Sequence, residues 1–280
     1  MIGITGATGA LSSAVLTHLS KGERPLRLLA RNTEKAAANF HALKPRGPFD
    51  VKYCDYQDKE ACVEALKGIE TVLFVSAGES PDRVQHHKSF IDAMCDAGVK
   101  SVIYTSFRGA APDAVFHLAR DHYWTEEYMK SQKSLNYILL RNAFYQDVLP
   151  DFTIQGAIRG PGGSGRLSPV ARQDVASVIV KLLDDVHPHI GKTYNLTGPE
   201  ELTFSQIATM LGADYVEETM EEARDSRKAP GVEDWLIEAW ISTYTAVRDG
   251  EESGLTDDVE RITGQPATTM QAFLALRGEK

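Results

Sequence analysis

The feature that most constrains this chain lies at its start. Met1–Thr5 reads as a β-strand and runs through Gly6-Ala7-Thr8-Gly9-Ala10-Leu11-Ser12 into a helical pattern over 12–19, with Val15, Leu16 and Leu19 on one face. A glycine-rich turn between a first strand and a first helix assigns a task to the backbone. Gly6 permits the tight turn, Gly9 lets the main chain approach an anion, and the free N–H groups of the helix start face that anion. Ser12 stands where GxGxxG patterns place a third glycine, and its small side chain still lets helix and strand pack closely. The turn selects a dinucleotide, with Gly6, Ala7, Thr8, Gly9, Ala10 and Leu11 as the cradle of its pyrophosphate.

The rest of the first half repeats the same rhythm. Strand patterns at 26–30, 51–54, 71–75, 101–105 and 137–140 alternate with helical ones near 33–43, 59–66, 82–97 and 119–132. Gly98 follows the fourth helix, where a left-handed stop is expected. Short strands separated by helices predict an α/β fold, a Rossmann-type doubly wound parallel sheet that binds ligands beyond the carboxyl ends of its strands. After residue 150 the rhythm changes. GPGGSG (160–165) reads as a flexible turn, 172–183 as a helix, 193–196 as a strand and 203–211 as a helix opened by a Thr cap. The expected layout is a dinucleotide core over 1–150, with returning elements at 165–211, and a smaller, mostly helical substrate lobe over 151–280, mainly 212–280.

Cofactor choice is read at the end of the second strand, where an acidic side chain would hold the two ribose hydroxyls of NAD. Here the text is Leu29-Ala30-Arg31-Asn32-Thr33-Glu34-Lys35, with no acid at the strand end. Arg31 offers a planar fork to a 2′-phosphate and Lys35 a point charge one helical turn on, which favours NADP(H) while leaving NAD(H) possible. Other strand ends supply further contacts. Asp55 and Tyr56 are placed to flank an adenine, and Ser76-Ala77-Gly78 forms a small-residue turn past which a cofactor can run. Thr105-Ser106-Phe107 and Asn142-Ala143-Phe144-Tyr145 close the fifth and sixth strands.

Charge and cysteine content exclude several function classes. Thirty Lys plus Arg against 39 Asp plus Glu give a net charge of −9, and no cationic run exists to grip a nucleic-acid backbone. The acidity is local, because residues 214–260 hold 15 acidic and 4 basic residues. No apolar stretch approaches the roughly 20 residues of a membrane span, and the N-terminus does not resemble a signal peptide, so a cytoplasmic protein with no membrane partner is expected. Cys54, Cys62 and Cys95 read as packing thiols, with neither a disulfide framework nor a bound metal. His86 and His87 read as structural.

Taken in order, GATGALS, LARNTEK, CDYQD, LFVSA, VIYTS, LLRNAFYQD and ARQDVA resemble an NmrA-like atypical short-chain dehydrogenase/reductase. Within that family they look most like type 2 NAD(P)H:quinone oxidoreductases and the triphenylmethane-dye and azo-dye reductases. The similarity runs nearly end to end, through YNLTG, LTFSQIA and ITGQPATTMQAF. It implies an NADPH-preferring Rossmann domain with the 2′-phosphate at Arg31 and Lys35. Further cofactor contacts are implied from Ser76, from Leu139, Leu140, Arg141 and Asn142, and from Arg172. Phe107, Phe144 and Tyr145 become candidates for an aromatic wall that suits a flat, conjugated small-molecule acceptor in a monomer or homodimer.

One departure from the wider family matters. Conventional members carry Tyr-x-x-x-Lys at the start of the helix after the fifth strand, where Lys lowers the Tyr pKa for proton transfer to a carbonyl. Here the stretch reads His117-Leu118-Ala119-Arg120-Asp121-His122-Tyr123, which sets Leu118 at the Tyr place and His122 at the Lys place, while Tyr123 is followed four residues on by Glu127. The pattern disfavours alcohol dehydrogenation and sugar epimerisation. It is compatible with hydride transfer to a quinone or dye, with His122 as the candidate catalytic group, and with an alternative, an NADP-sensing NmrA-like regulator without catalysis.

Overall fold

The computed structural model describes residues 1–278. In chain order the first elements are β1 (Ile2–Ile4), α1 (Ala10–Leu19), β2 (Leu26–Ala30), α2 (Thr33–Ala42), β3 (Phe49–Tyr53), α3 (Lys59–Leu66), β4 (Thr71–Phe74), α4 (Arg83–Asp96), β5 (Ser101–Phe107), α5 (His117–Lys130) and β6 (Asn136–Asn142). They are followed by β7 (Thr153–Ile154), β8 (Ala157–Gly160), α6 (Arg172–Asp184), β9 (Thr193–Leu196), α7 (Phe204–Met210), β10 (Asp214–Glu217), α8 (Met220–Arg227), α9 (Asp234–Arg248), α10 (Asp258–Thr263) and α11 (Met270–Gly278).

Seven strands form one sheet in the order β3-β2-β1-β4-β5-β6-β9. β1 pairs in parallel with both β2 and β4, so the strand order reverses beside β1, where such sheets bind their ligands. The sequence explains the arrangement. Every residue of β4 is buried, as an apolar run covered on both faces must be, and α1 turns Leu11, Ser12, Val15 and Leu16 inward. α6 packs on α1 and α4 on α3, which covers the sheet with helices. Gly98 takes φ +76° just after α4, the left-handed stop its position predicted.

The described residues fold as two compact units, both discontinuous: Met1–Ser106 with Trp124–Leu140 and Arg172–Tyr194, and Phe107–Tyr123 with Arg141–Ala171 and 195–278. Residues 107–123, 141–150, 165–171 and 195–211, expected with the dinucleotide core, therefore cluster with the second unit. Apart from its helices, that unit contains a three-stranded sheet, β10-β8-β7. Its strands are two to four residues long, too short to leave an alternating pattern in the sequence.

The core of the second unit gathers Leu149, Ile158, Phe204, Tyr244 and Val247. Here the GPGGSG stretch departs from expectation, for it is packed rather than flexible. A Cβ on Gly160 would lie 2.4 Å from the Tyr244 ring and one on Gly165 2.2 Å from the Val247 carbonyl oxygen, so glycine is required by close approach. The acidic residues of this unit are largely occupied. Glu218 pairs with Arg227 at 3.0 Å, Glu222 completes a capping box with Thr219, and the Glu251 carboxylate accepts from the Val115 N–H at 2.9 Å just ahead of α5. No helix among the described residues is long and apolar enough to cross a membrane.

Candidate functional site

The dinucleotide turn begins where β1 ends. Gly6 takes φ +58°, a conformation that L side chains rarely adopt, and its carbonyl accepts from the Gly9 N–H at 2.7 Å. A Cβ on Gly9 would stand 3.1 Å from that carbonyl oxygen. Gly9 is the N-cap of α1 and provides no side-chain cap, so the first N–H groups of the helix remain available to an anion. Ser12, which is buried, donates from Oγ to the Thr5 carbonyl at 2.7 Å. That bond ties helix to strand across the turn, where a third glycine would have made only a contact.

Hydroxyls of three elements then fix the end of β4. Thr5 Oγ1 accepts from the Val75 N–H and Thr105 Oγ1 from the Ser76 N–H, both at 2.9 Å, while Tyr56 Oη donates to the Val75 carbonyl at 2.8 Å. The Ala77 N–H donates to His87 Nε2 and the Ala77 carbonyl accepts from Arg83 Nε, each at 2.9 Å. Beneath this stretch Phe74 packs against Phe90, Tyr104 and Tyr56 with ring centroids 4.9–5.2 Å apart. The Ser76–Gly78 turn is thus held at the Ser76 N–H and at both groups of the Ala77 peptide unit.

Arg31 and Lys35 lie exposed at the end of β2 and in the first turn of α2, and neither forms an ion pair among the described residues. Asn32 caps α2 by accepting from the Lys35 N–H at 2.9 Å, which orients that first turn. Asp55 accepts from the Gln57 N–H at 3.2 Å and shapes the loop after β3, and Cys54 of that loop is buried with its sulfur 3.3 Å from that of Cys62 in α3. Tyr56 is engaged in the framework described above, with its ring against Phe74 and Phe90, and remains half-buried. Leu139 and Leu140 are fully buried, so their side chains belong to the core rather than to a cofactor surface. Arg172 opens α6 and is half-buried.

The second unit carries the remaining predicted residues. Phe107 and Phe144 meet at 4.9 Å, and Phe116 completes a cluster of three rings at 4.9 Å from Phe107 and 5.3 Å from Phe144. His122 is buried rather than surface-exposed, its ring 6.1 Å from that of Phe107. Asn142 donates from Nδ2 to Tyr145 Oη at 3.0 Å, and its Oδ1 is buried without a hydrogen-bond partner among the described residues. Arg141, next to it in β6, is half-buried.

Several groups escaped the sequence reading. Phe116 lies in a stretch with no strand-end position to single it out. His87 and Arg83 stand four residues apart in α4, a spacing that puts both on one face, but nothing in the sequence shows that the face meets the Ala77 peptide. Glu252 is a third case. Its carboxyl is buried, Oε2 has no partner among the described residues, and burial together with the neighbouring Glu251 pushes its pKa up to about 8 against the opposing pull of Arg108.

A parallel sheet whose order reverses beside β1, with a glycine turn at the reversal and an uncapped helix start behind it, defines a dinucleotide-binding protein of the Rossmann class. The cradle fits such a ligand. Gly6 and Gly9 keep the backbone bare, and the first N–H groups of α1 are left to an anion.

Comparison with known proteins agrees. A family model described as NAD(P)H-binding matches residues 6–186. Quinone oxidoreductase 2 of Escherichia coli is 32% identical over 96% of this chain and 96% of its own length. NAD(P)H azoreductase of Xenophilus azovorans is 28% identical over 98% of this chain and 96% of its own. The Citrobacter sp. triphenylmethane reductase in complex with NADP(H) superposes with a TM-score of 0.82 at 28% identity, covering 98% of this chain and 99% of that one. NmrA, a negative transcriptional regulator solved with NAD, shares the fold with a TM-score of 0.74 at 15% identity, covering 97% of this chain and 93% of that one. The chain belongs to the NAD(P)H-binding family and, within the NmrA-like fold, is an oxidoreductase.

Proposed function

We propose that the chain reduces quinones or similar flat, conjugated acceptors, such as azo or triphenylmethane dyes, with NADPH as the preferred donor. The observation that carries this reading is the cluster of Phe107, Phe116 and Phe144, a face suited to a planar π-system rather than to a polyol. Bound NADPH supplies a hydride from nicotinamide C4. The residues of the chain do the rest. The N–H groups after Gly9 hold the pyrophosphate, Arg31 grips the 2′-phosphate with Lys35 beside it, and the Ser76–Gly78 turn fixes the path of the dinucleotide. The phenyl rings orient the acceptor and exclude water.

The helix after β5 supports the same chemistry. It offers no Tyr followed four residues later by Lys, the pair that protonates a carbonyl product. A quinone or cationic dye yields a stabilised product on taking a hydride, so a weaker proton source suffices, and His122 beside Phe107 is in position to hold or relay that proton. The named activities of the quinone oxidoreductase, azoreductase and triphenylmethane reductase relatives point the same way. The sensor reading is not favoured, since the likeness to NmrA is one of fold.

The test is the loss of nicotinamide absorbance when a benzoquinone, an azo dye and a triphenylmethane dye are each offered with NADPH. Turnover with at least one acceptor class is expected. Tight NADPH binding with no turnover across the panel would replace this reading with the sensor.

A further inference from the structure

The peptide of Ala77 is gripped from both sides by one helix. Its N–H donates to His87 Nε2 and its carbonyl accepts from Arg83 Nε, each at 2.9 Å. Arg83 and His87 occupy the first and second turns of α4 and are 6% and 0% exposed, an unusual degree of burial for an arginine and a histidine. Because Nε2 accepts, the ring proton sits on Nδ1, which faces Thr125 Oγ1 at 2.8 Å and Tyr104 Oη at 3.5 Å. Burial and the neighbouring Arg83 hold the His87 pKa well below its ordinary value, so the ring stays a neutral acceptor across the working range. The neighbouring backbone groups of the turn are held by Thr5, Thr105 and Tyr56. Ala77 is held by an arginine and a histidine, both buried.

We propose that Arg83 and His87 are positioning residues for the dinucleotide: they fix the Ala77 peptide, and through it the Ser76–Gly78 turn, so that the cofactor meets a preformed path. Neither side chain needs to touch the cofactor. The pair lowers the cost of binding by ordering the turn beforehand. The inference rests on the dinucleotide reading of that turn and is independent of which acceptor is reduced.

The experiment measures NADPH affinity of the full chain by nicotinamide fluorescence with no acceptor present, for the wild type and for His87→Gln, His87→Asn and Arg83→Met. Thermal melting is followed in parallel. A Gln side chain brings an oxygen to the place of Nε2 and keeps an acceptor for the Ala77 N–H. An Asn side chain reaches only the place of Nδ1 and leaves that N–H unsatisfied. His87→Asn and Arg83→Met are expected to weaken NADPH about tenfold, and His87→Gln less than about threefold. In turnover assays the loss should fall on KM for NADPH more than on kcat.

Equal affinities for all folded variants, whatever their melting temperatures, would overturn the proposal, as would His87→Gln being as damaging as His87→Asn. If His87→Asn does not fold, Arg83→Met decides in the same way. A wild-type chain that fails to bind NADPH would overturn the underlying reading and this proposal with it, and is recognised separately because no variant enters that measurement.

Discussion

Ser12 Oγ donates a 2.7 Å hydrogen bond to the carbonyl oxygen of Thr5, and this bond closes the phosphate turn by tying the start of α1 to the end of β1. Ser12 is 1% exposed, so the site has neither room for a larger side chain nor water to replace the hydroxyl. Ser12→Gly keeps the space but loses the bond and adds backbone freedom, at a cost of about 1–2 kcal/mol of stability. Ser12→Val overfills the contact, and its cost of about 1–3 kcal/mol comes with a displaced turn. Urea denaturation and NADPH titration together check the pair. The Val variant should lose affinity in excess of its loss of stability, and an unaltered affinity would show that helix–strand spacing does not set the turn.

Arg31 and Lys35 are exposed cations at the end of β2 that form no ion pair among the described residues. If the guanidinium is reserved for a 2′-phosphate, Arg31→Ala should weaken NADPH about tenfold to a hundredfold, the worth of a charge-assisted pair of hydrogen bonds. NADH, which lacks that phosphate, should change by less than about threefold. Titration of both cofactors at two salt concentrations makes the comparison, and equal losses for the two would remove Arg31 from the phosphate site.

How much of this was legible beforehand depends on whether the determinant was local. Gly6 and Gly9, the left-handed Gly98 and the Thr203 cap of α7 are written into neighbouring residues, and each stands where the sequence placed it. The cap that Glu251 places on Val115 and the burial of Glu252 near Arg108 join residues far apart in the chain, and the grip of Arg83 and His87 on Ala77, though only six and ten residues long, depends on α4 folding back on the end of β4, so no spacing announces them. The GPGGSG stretch misled for the same reason. Glycine signals freedom when read locally, whereas here Tyr244 and Val247 press on it from residues some 80 positions later.

The three-ring cluster separates acceptor binding from cofactor binding. Phe144 is half-buried and touches both Phe107 and Phe116, so Phe144→Ala removes one of the three rings and leaves the Phe107–Phe116 pair. Loss of one aromatic partner for a stacked ligand is worth about 1–2 kcal/mol, which corresponds to roughly a tenfold rise in KM for the quinone or dye. NADPH affinity should be unchanged. Steady-state kinetics with each substrate varied in turn provides the check, and a rise confined to KM for NADPH would assign the rings to the cofactor instead.

Glu252 gives the fold a pH dependence whose sign can be worked out. Its folded-state pKa is raised to about 8 from the ordinary 4.5 of a glutamate, chiefly by burial and further by Glu251, with Arg108 opposing. The folded chain therefore keeps a proton that the unfolded chain releases, so this group stabilises the unfolded state progressively as pH rises between 4.5 and about 8. Within that window the loss approaches about 1.4 kcal/mol per pH unit, and it levels off above the folded pKa. Glu252→Gln mimics the protonated carboxyl and titrates nowhere. Near pH 5 the variant and the wild type should differ little, whereas near pH 8 the variant should be the more stable by a margin that grew with each unit. Melting temperatures measured across that range at fixed ionic strength give the answer. Parallel curves for the two proteins would mean that the Glu252 carboxyl ionises in the folded chain as readily as in the unfolded one.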